Sequence, residues 1–131
     1  LDPKNGRLAW YYQHFPTDVW DLDWAYEQTL VDLPVHGTMR KLVVTAGKIG
    51  IFDALDRATG RYVFSHDLGL QNIVTSIDPM TGHKTINTTF LPDPGAETPF
   101  PARGVCPYAR DEPSRRCRRT CPRSMRTARR S

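Results

Sequence analysis

The sequence lacks any apolar run near the roughly 20 residues that a membrane-spanning helix requires, and none is expected among its 131 residues. Its N-terminus, Leu1-Asp2-Pro3, has neither an initiator Met nor the basic, apolar and small-residue succession of a secretory leader, so a piece of a longer protein is expected. Cysteine is scarce. Cys106, Cys117 and Cys121 are an odd set with no His at zinc-ligand spacing, and none sits in the Cys-x-x-Cys-His of covalent haem attachment. Acid is missing from one region only: residues 115–131 carry eight Arg and two Cys but no Asp or Glu. Residues 1–114 hold all fourteen acids and the other ten Lys and Arg, so the body is −4 and the tail +8, which gives the overall +4. The pI of about 9.2 therefore describes the tail. Arg clusters bind phosphate, but this one has no aromatics and no foldable pattern, so no nucleic-acid partner is expected. Its composition is that of GC-rich coding sequence read out of frame, and 115–131 is expected to be out of frame or disordered.

What the chain does contain is a repeated corner. Leu1-Asp2-Pro-Lys-Asn5-Gly6-Arg7, Leu55-Asp56-Arg-Ala-Thr59-Gly60-Arg61 and Ile77-Asp78-Pro-Met-Thr81-Gly82-His83 each read apolar-Asp-x-x-Thr/Asn-Gly-basic. Asp at the start of a turn bonds the backbone two residues on, and Gly supplies the positive φ that closes it, so each copy predicts a strand–turn–strand corner. The flanks Arg7–Gln13, Lys41–Thr45, Ile49–Leu55 and Arg61–Phe64 are β-branched or aromatic with partial alternation and read as strands. No stretch sustains a helical period, although Asp23–Leu30, bracketed by Pro16 and Pro34, has room for a helical turn or two. The proline-rich segment from Thr88 to Pro107 predicts irregular, extended chain. Hairpin corners repeated in this way point to an all-β, antiparallel fold of the propeller kind.

Chemistry concentrates in His14-Phe-Pro-Thr-Asp18-Val-Trp-Asp21-Leu-Asp23-Trp24, where three carboxylates and three aromatics share eleven residues. Repulsion between Asp21 and Asp23 raises the pKa of at least one of them unless a cation lies between them. A hard-metal site and a general base both fit; a solvated acidic loop is the plain structural alternative. Asp18 reads as a turn or cap residue and Trp10 as a lock between neighbouring blades, while Trp20 and Trp24 suit either packing or a cofactor pocket. Lys48, between two glycines, reads on its own as an exposed turn lysine. His14, His36, His66 and His83 show no ligand spacing and read as surface or turn residues.

Taken in order, Asp-x-x-Asn-Gly-Arg-Leu-x-Trp-x-Tyr-Gln, Pro-x-Asp-x-Trp-Asp, Leu-Val-Asp-x-Pro-Val-x-Gly, Arg40-Lys-Leu-Val-Val, Gly47-Lys48-Ile-Gly50 and Cys106-Pro with Ala109-Arg-Asp-Glu-Pro-Ser114 resemble the PQQ-dependent quinoprotein alcohol dehydrogenases across residues 1–114. The resemblance implies part, about two blades, of an eight-bladed propeller. It implies oxidation of a small primary alcohol with PQQ as hydride acceptor, a cytochrome c as onward electron acceptor and a periplasmic location. Asp21 resembles the family's catalytic aspartate, which takes the hydroxyl proton and ligates the metal. Lys48 resembles the basic residue on the quinone oxygens. Asp23, which makes Asp-x-Asp, resembles the second metal carboxylate of lanthanide-type members, with calcium as the alternative ion.

Cys106 resembles the first half of a family disulfide whose partner lies further on. The family's upstream glutamate and asparagine ligands, its vicinal disulfide and its stacking tryptophan have no counterpart here. A piece of propeller leaves strand edges uncovered, so the chain alone is expected to fold poorly and to be inactive. The competing function is a non-catalytic β-propeller scaffold that shares the Asp-x-x-Thr-Gly corner; such a scaffold has no use for Asp21, Asp23 and Lys48 together.

Overall fold

A computed structural model describes residues 1–92 and Gly95. It contains six strands: β1 (Thr29–Val35), β2 (Thr38–Ala46), β3 (Ile51–Asp56), β4 (Tyr62–Asp67), β5 (Val74–Ile77) and β6 (Lys84–Ile86). The first four form one antiparallel sheet in the order β1-β2-β3-β4, a four-stranded meander, and β5 and β6 form a separate two-stranded sheet. Sequential pairing of this kind needs only short connections, and the turn residues set each of them.

Between β1 and β2 the two-residue loop His36-Gly37 has φ of 49° and 76°, and Val35 pairs with Thr38. Positive φ at both central positions is the turn whose twist matches a hairpin. The Asp-x-x-Thr-Gly corners join β3 to β4 and β5 to β6, as expected. In the first, the Asp56 carboxylate accepts from the Ala58 and Thr59 N–H groups and the Thr59 hydroxyl, while Gly60, at φ 71°, donates its N–H to the Asp56 carbonyl at 2.8 Å. Asp78, Thr81 and Gly82 repeat that pattern.

The first copy has the same turn, with Gly6 N–H on the Asp2 carbonyl at 2.8 Å, but no strand directly after it among the described residues. Arg7–Gln13, expected to be a strand, has no ladder partner among the described residues. The tertiary docking of its aromatics holds it instead: Trp10 Nε1–H donates to the Arg57 carbonyl, and the Tyr12 hydroxyl to the Thr81 carbonyl. Asp23–Leu30 makes no helical turn either. Its last residues, Thr29 and Leu30, pair with Val44 and Val43 and begin β1, so sheet pairing overrides the weak helical pattern.

The main core gathers Phe15, Trp20, Leu22, Ile49, Ile51, Ile73 and Val74, with Val19, Trp24, Ile77, Ile86 and Phe90 packed against it. It thus draws on the acidic segment, the β2–β3 turn and the β5–β6 hairpin together, and burial of these side chains sets how they sit against one another. Trp20 is 3% exposed and its indole N–H donates to the Phe90 carbonyl, which anchors the 3-10 turn Thr88–Phe90. β1 is a mostly exposed edge with Pro34 in it, a position where a missing N–H costs least. No described helix is long and apolar enough to cross a membrane. The remainder of the proline-rich segment, Cys106, Cys117, Cys121 and the 115–131 tail lie outside the described residues.

Candidate functional site

Asp18 organises the acidic segment. Its carboxylate accepts from the main-chain N–H of Trp20 at 2.9 Å and of Leu22 at 2.7 Å, which makes it the turn-forming residue that the sequence indicates. Trp20 and Leu22 then point into the core, and the alternating Asp21 and Asp23 are left exposed. Asp21 has φ of 61°, a left-handed conformation that Asp tolerates better than most residues. Such backbone outliers concentrate at functional sites.

Lys48 reaches this loop from the β2–β3 turn, which is closed by a bond from Gly50 N–H to the Gly47 carbonyl and by Gly50 at φ 78°. Its own N–H donates to the Asp23 carbonyl at 3.1 Å. Its ammonium donates to Asp23 Oδ2 at 2.8 Å, to Asp21 Oδ2 at 3.2 Å and to the Asp21 carbonyl at 3.1 Å. Three residues that the sequence singled out therefore meet at one point. A cation does lie between the two carboxylates: the hydrogen bond from Lys48 holds the Asp23 carboxyl below its ordinary range, and the bonds to Asp23 and Asp21 hold the Lys48 ammonium above its own. All three side chains remain open to solvent, at 65% exposure for Asp21, 50% for Asp23 and 30% for Lys48.

Two carboxylates and a main-chain carbonyl on one point are hard oxygen donors, and they suit part of the shell of a calcium-like or larger ion, which takes six to eight oxygens. Among the described residues no group of three or more His, Cys, Asp or Glu could hold a metal. Asp21 and Asp23 offer hard oxygen donors for only part of such a shell.

Behind the exposed trio lies a buried one that sequence reasoning missed. Asp53, on β3 and fully buried, accepts two bonds from the Lys84 ammonium, at 3.0 and 2.8 Å, and one from the Ser65 hydroxyl at 2.6 Å. His14 Nδ1 lies 2.7 Å from Asp53 Oδ2, and since a carboxylate oxygen only accepts, this nitrogen carries a proton. Burial pushes the Asp53 carboxyl up, but bonds from His14, Lys84 and Ser65 outweigh it and hold the carboxyl below its ordinary value. His14, read from sequence as a surface or turn residue, is thus a largely buried partner with a side chain 16% exposed. The missed signal is Asp53 itself: a carboxylate on the same strand face as the apolar Ile51 and Leu55, two residues to either side, needs a buried partner.

Trp24 joins the two groups. Its ring stacks on His14, with centroids 5.2 Å apart and planes 6° apart, and the Lys84 ammonium lies 5.3 Å from its centroid. A Cβ at Gly47 would come within 2.5 Å of that ring, so only glycine allows the approach. Trp24 Nε1 is buried and has no acceptor among the described residues.

With this geometry established, comparison with known proteins is informative. The family model described as "Glucose/ethanol/alcohol dehydrogenase, beta-propeller domain" matches residues 1–129. The "Alcohol dehydrogenase (quinone), dehydrogenase subunit" of Acetobacter aceti is 36% identical over 91 residues, which cover 70% of this chain and 12% of that protein. Among solved structures, the quinohemoprotein alcohol dehydrogenase of Comamonas testosteroni superposes with a TM-score of 0.64 at 30% identity, over 68% of this chain and 13% of that one. A europium-containing methanol dehydrogenase superposes with a TM-score of 0.65 at 27% identity, over 74% of this chain and 16% of that one. The chain thus spans about an eighth of the length of the curated relatives it matches.

Proposed function

Since the chain belongs to the PQQ β-propeller family of glucose, ethanol and alcohol dehydrogenases, we propose that it supplies the proton-accepting and metal-binding loop of a PQQ- and metal-dependent alcohol dehydrogenase. The observation that carries this reading is the meeting of Asp21, Asp23 and Lys48 at one exposed point.

Asp21 is the general base. Its carboxylate, presented by the left-handed turn, accepts the hydroxyl proton of a small primary alcohol. Asp21 and Asp23 would hold the cation, and the Lys48 ammonium would supply positive charge to the cofactor's quinone oxygens. When bound, PQQ supplies the hydride acceptor and the metal supplies Lewis acidity. Lys48, partly exposed and on a four-carbon stem, would be free to release the Asp21 and Asp23 oxygens to a cation.

The metal we propose is a lanthanide, with calcium as the alternative. Two carboxylates one residue apart give a trivalent ion the extra anionic oxygen it favours, and one superposed relative is a europium-containing enzyme. A cytochrome c acceptor and a periplasmic location complete the reading. Two carboxylates fall short of a metal's full set of ligands, so the chain by itself is expected to turn over no alcohol.

The test is dye-linked alcohol oxidation, with PQQ and metal supplied, by the complete dehydrogenase that carries this segment. Asp21→Asn lowers kcat by about a hundredfold or more with the fold retained. Activity within a few-fold of the parent would remove Asp21 from the chemistry.

A further inference from the structure

The buried Asp53–Lys84 pair calls for an explanation that stability does not provide. Ion pairs in an interior gain little over well-packed apolar residues of the same volume, because desolvation cancels their attraction. What such a pair fixes is geometry. This one joins β3 to β6 across the two sheets, and through His14 it also binds the segment before the acidic loop.

The geometry leads from there to the site through one ring. Trp24 directly follows Asp23, and Gly47 directly precedes Lys48. The close seat of the Trp24 ring against Gly47 brings the two backbones together, where Lys48 N–H meets the Asp23 carbonyl at 3.1 Å. With the backbones so placed, the Lys48 ammonium reaches both carboxylates. His14 lies parallel to the Trp24 ring, and Lys84 holds its ammonium over it, within reach of a cation–π attraction. Asp53 fixes both His14 and Lys84 by hydrogen bonds of 2.7 to 3.0 Å.

We propose that His14, Asp53 and Lys84 are positioning residues that act through the Trp24 ring to hold Asp23 and Lys48 in register. Its meaning for catalysis rests on the reading of that site given above, but the geometric statement stands apart from any metal or cofactor. None of the three touches the reacting groups. Their effect is on how often the exposed trio is assembled.

The experiment is NMR of the full chain with lysine side chains labelled at Cε, with neither PQQ nor metal present. The chain has four lysines, so each is separable. In the wild type, the Lys48 Hε protons show nuclear Overhauser contacts to the side chains of Asp21 and Asp23, which its ammonium meets at 3.2 and 2.8 Å. His14→Ala removes the plate under Trp24 and abolishes those contacts, whereas His14→Phe restores the plate and keeps them. The charge-balanced double variant Asp53→Leu with Lys84→Met also releases Lys48.

If that double variant fails to fold, the two His14 variants decide, because His14 is partly exposed. A wild-type Lys48 without those contacts overturns the proposal, as do contacts retained in folded His14→Ala or lost in folded His14→Phe. A parallel terbium titration followed by tryptophan-sensitised luminescence separates the two levels. Under the functional reading, affinity falls about tenfold in His14→Ala, as for loss of a ligand's supporting partner. Terbium binding absent from wild type, with Lys48 still released by His14→Ala, would refute the metal reading and sustain the positioning role.

Discussion

Lys84→Met tests the energetics of the interior most severely. The substitution keeps the length of the stem and removes only the ammonium. Asp53 is then left fully buried, with the two bonds from Lys84 gone and only those from Ser65 at 2.6 Å and His14 at 2.7 Å remaining. Breaking a buried pair from one side costs about 3–5 kcal/mol, because the surviving charge keeps its desolvation penalty and loses its partner. Against a typical total of about 5–15 kcal/mol, that is a large share of the stability of a small domain. At an m value of about 2 kcal/mol/M, the urea midpoint drops by roughly 2 M. The assay is equilibrium urea unfolding followed by circular dichroism and tryptophan fluorescence, in a double-mutant cycle with Asp53→Leu. The double variant recovers most of the loss, because no charge is left buried. A loss below about 1 kcal/mol for Lys84→Met would mean that water or chain relaxation reaches Asp53, and the buried-pair account would be refuted.

Other outcomes follow from the same contacts. Gly60→Ala loses about 1–2 kcal/mol from the left-handed backbone alone, and more because its Cβ runs into the Trp10 ring; a thermal midpoint equal to wild type would contradict the corner's role. Asp53, Asp56 and Asp78 are held below ordinary carboxylate values, Asp53 by the bonds that outweigh its burial and the other two first by Thr59 and Thr81. Their contribution is therefore complete above the unfolded value of about 3.9 and is lost as pH falls through the lowered folded values, so urea midpoints should hold near neutrality and fall in acid. A midpoint that rises on acidification would reverse that sign. Lys48→Met removes the competitor for the Asp21 and Asp23 oxygens and is expected to tighten terbium binding by the chain, read by luminescence titration; weaker binding would make Lys48 a support for the cation rather than a rival.

The parts of this molecule that could be read from sequence are those set by local chemistry. The Asp-x-x-Thr-Gly corners are closed by their own side chains and by a glycine at positive φ, so Asp56–Gly60 and Asp78–Gly82 were legible without tertiary information. β2 to β4 were visible through their β-branched and aromatic content. Arg7–Gln13 has the same composition, but a strand exists only where a neighbour pairs with it, and here Trp10 and Tyr12 dock on the corners instead. The exposed trio was found because the spacing of Asp21, Asp23 and Lys48 follows a family pattern. The buried cluster follows none: His14, Asp53 and Lys84 are far apart in sequence, and only the fold brings them together.

The central claim is that Asp21 and Asp23 form one cation site, and a terbium titration of the chain, followed by luminescence sensitised through its tryptophans, tests it most directly. The account predicts saturable one-to-one binding that Asp21→Asn and Asp23→Asn each weaken, with calcium displacing terbium only at large excess. Binding that survives both substitutions unchanged would contradict it.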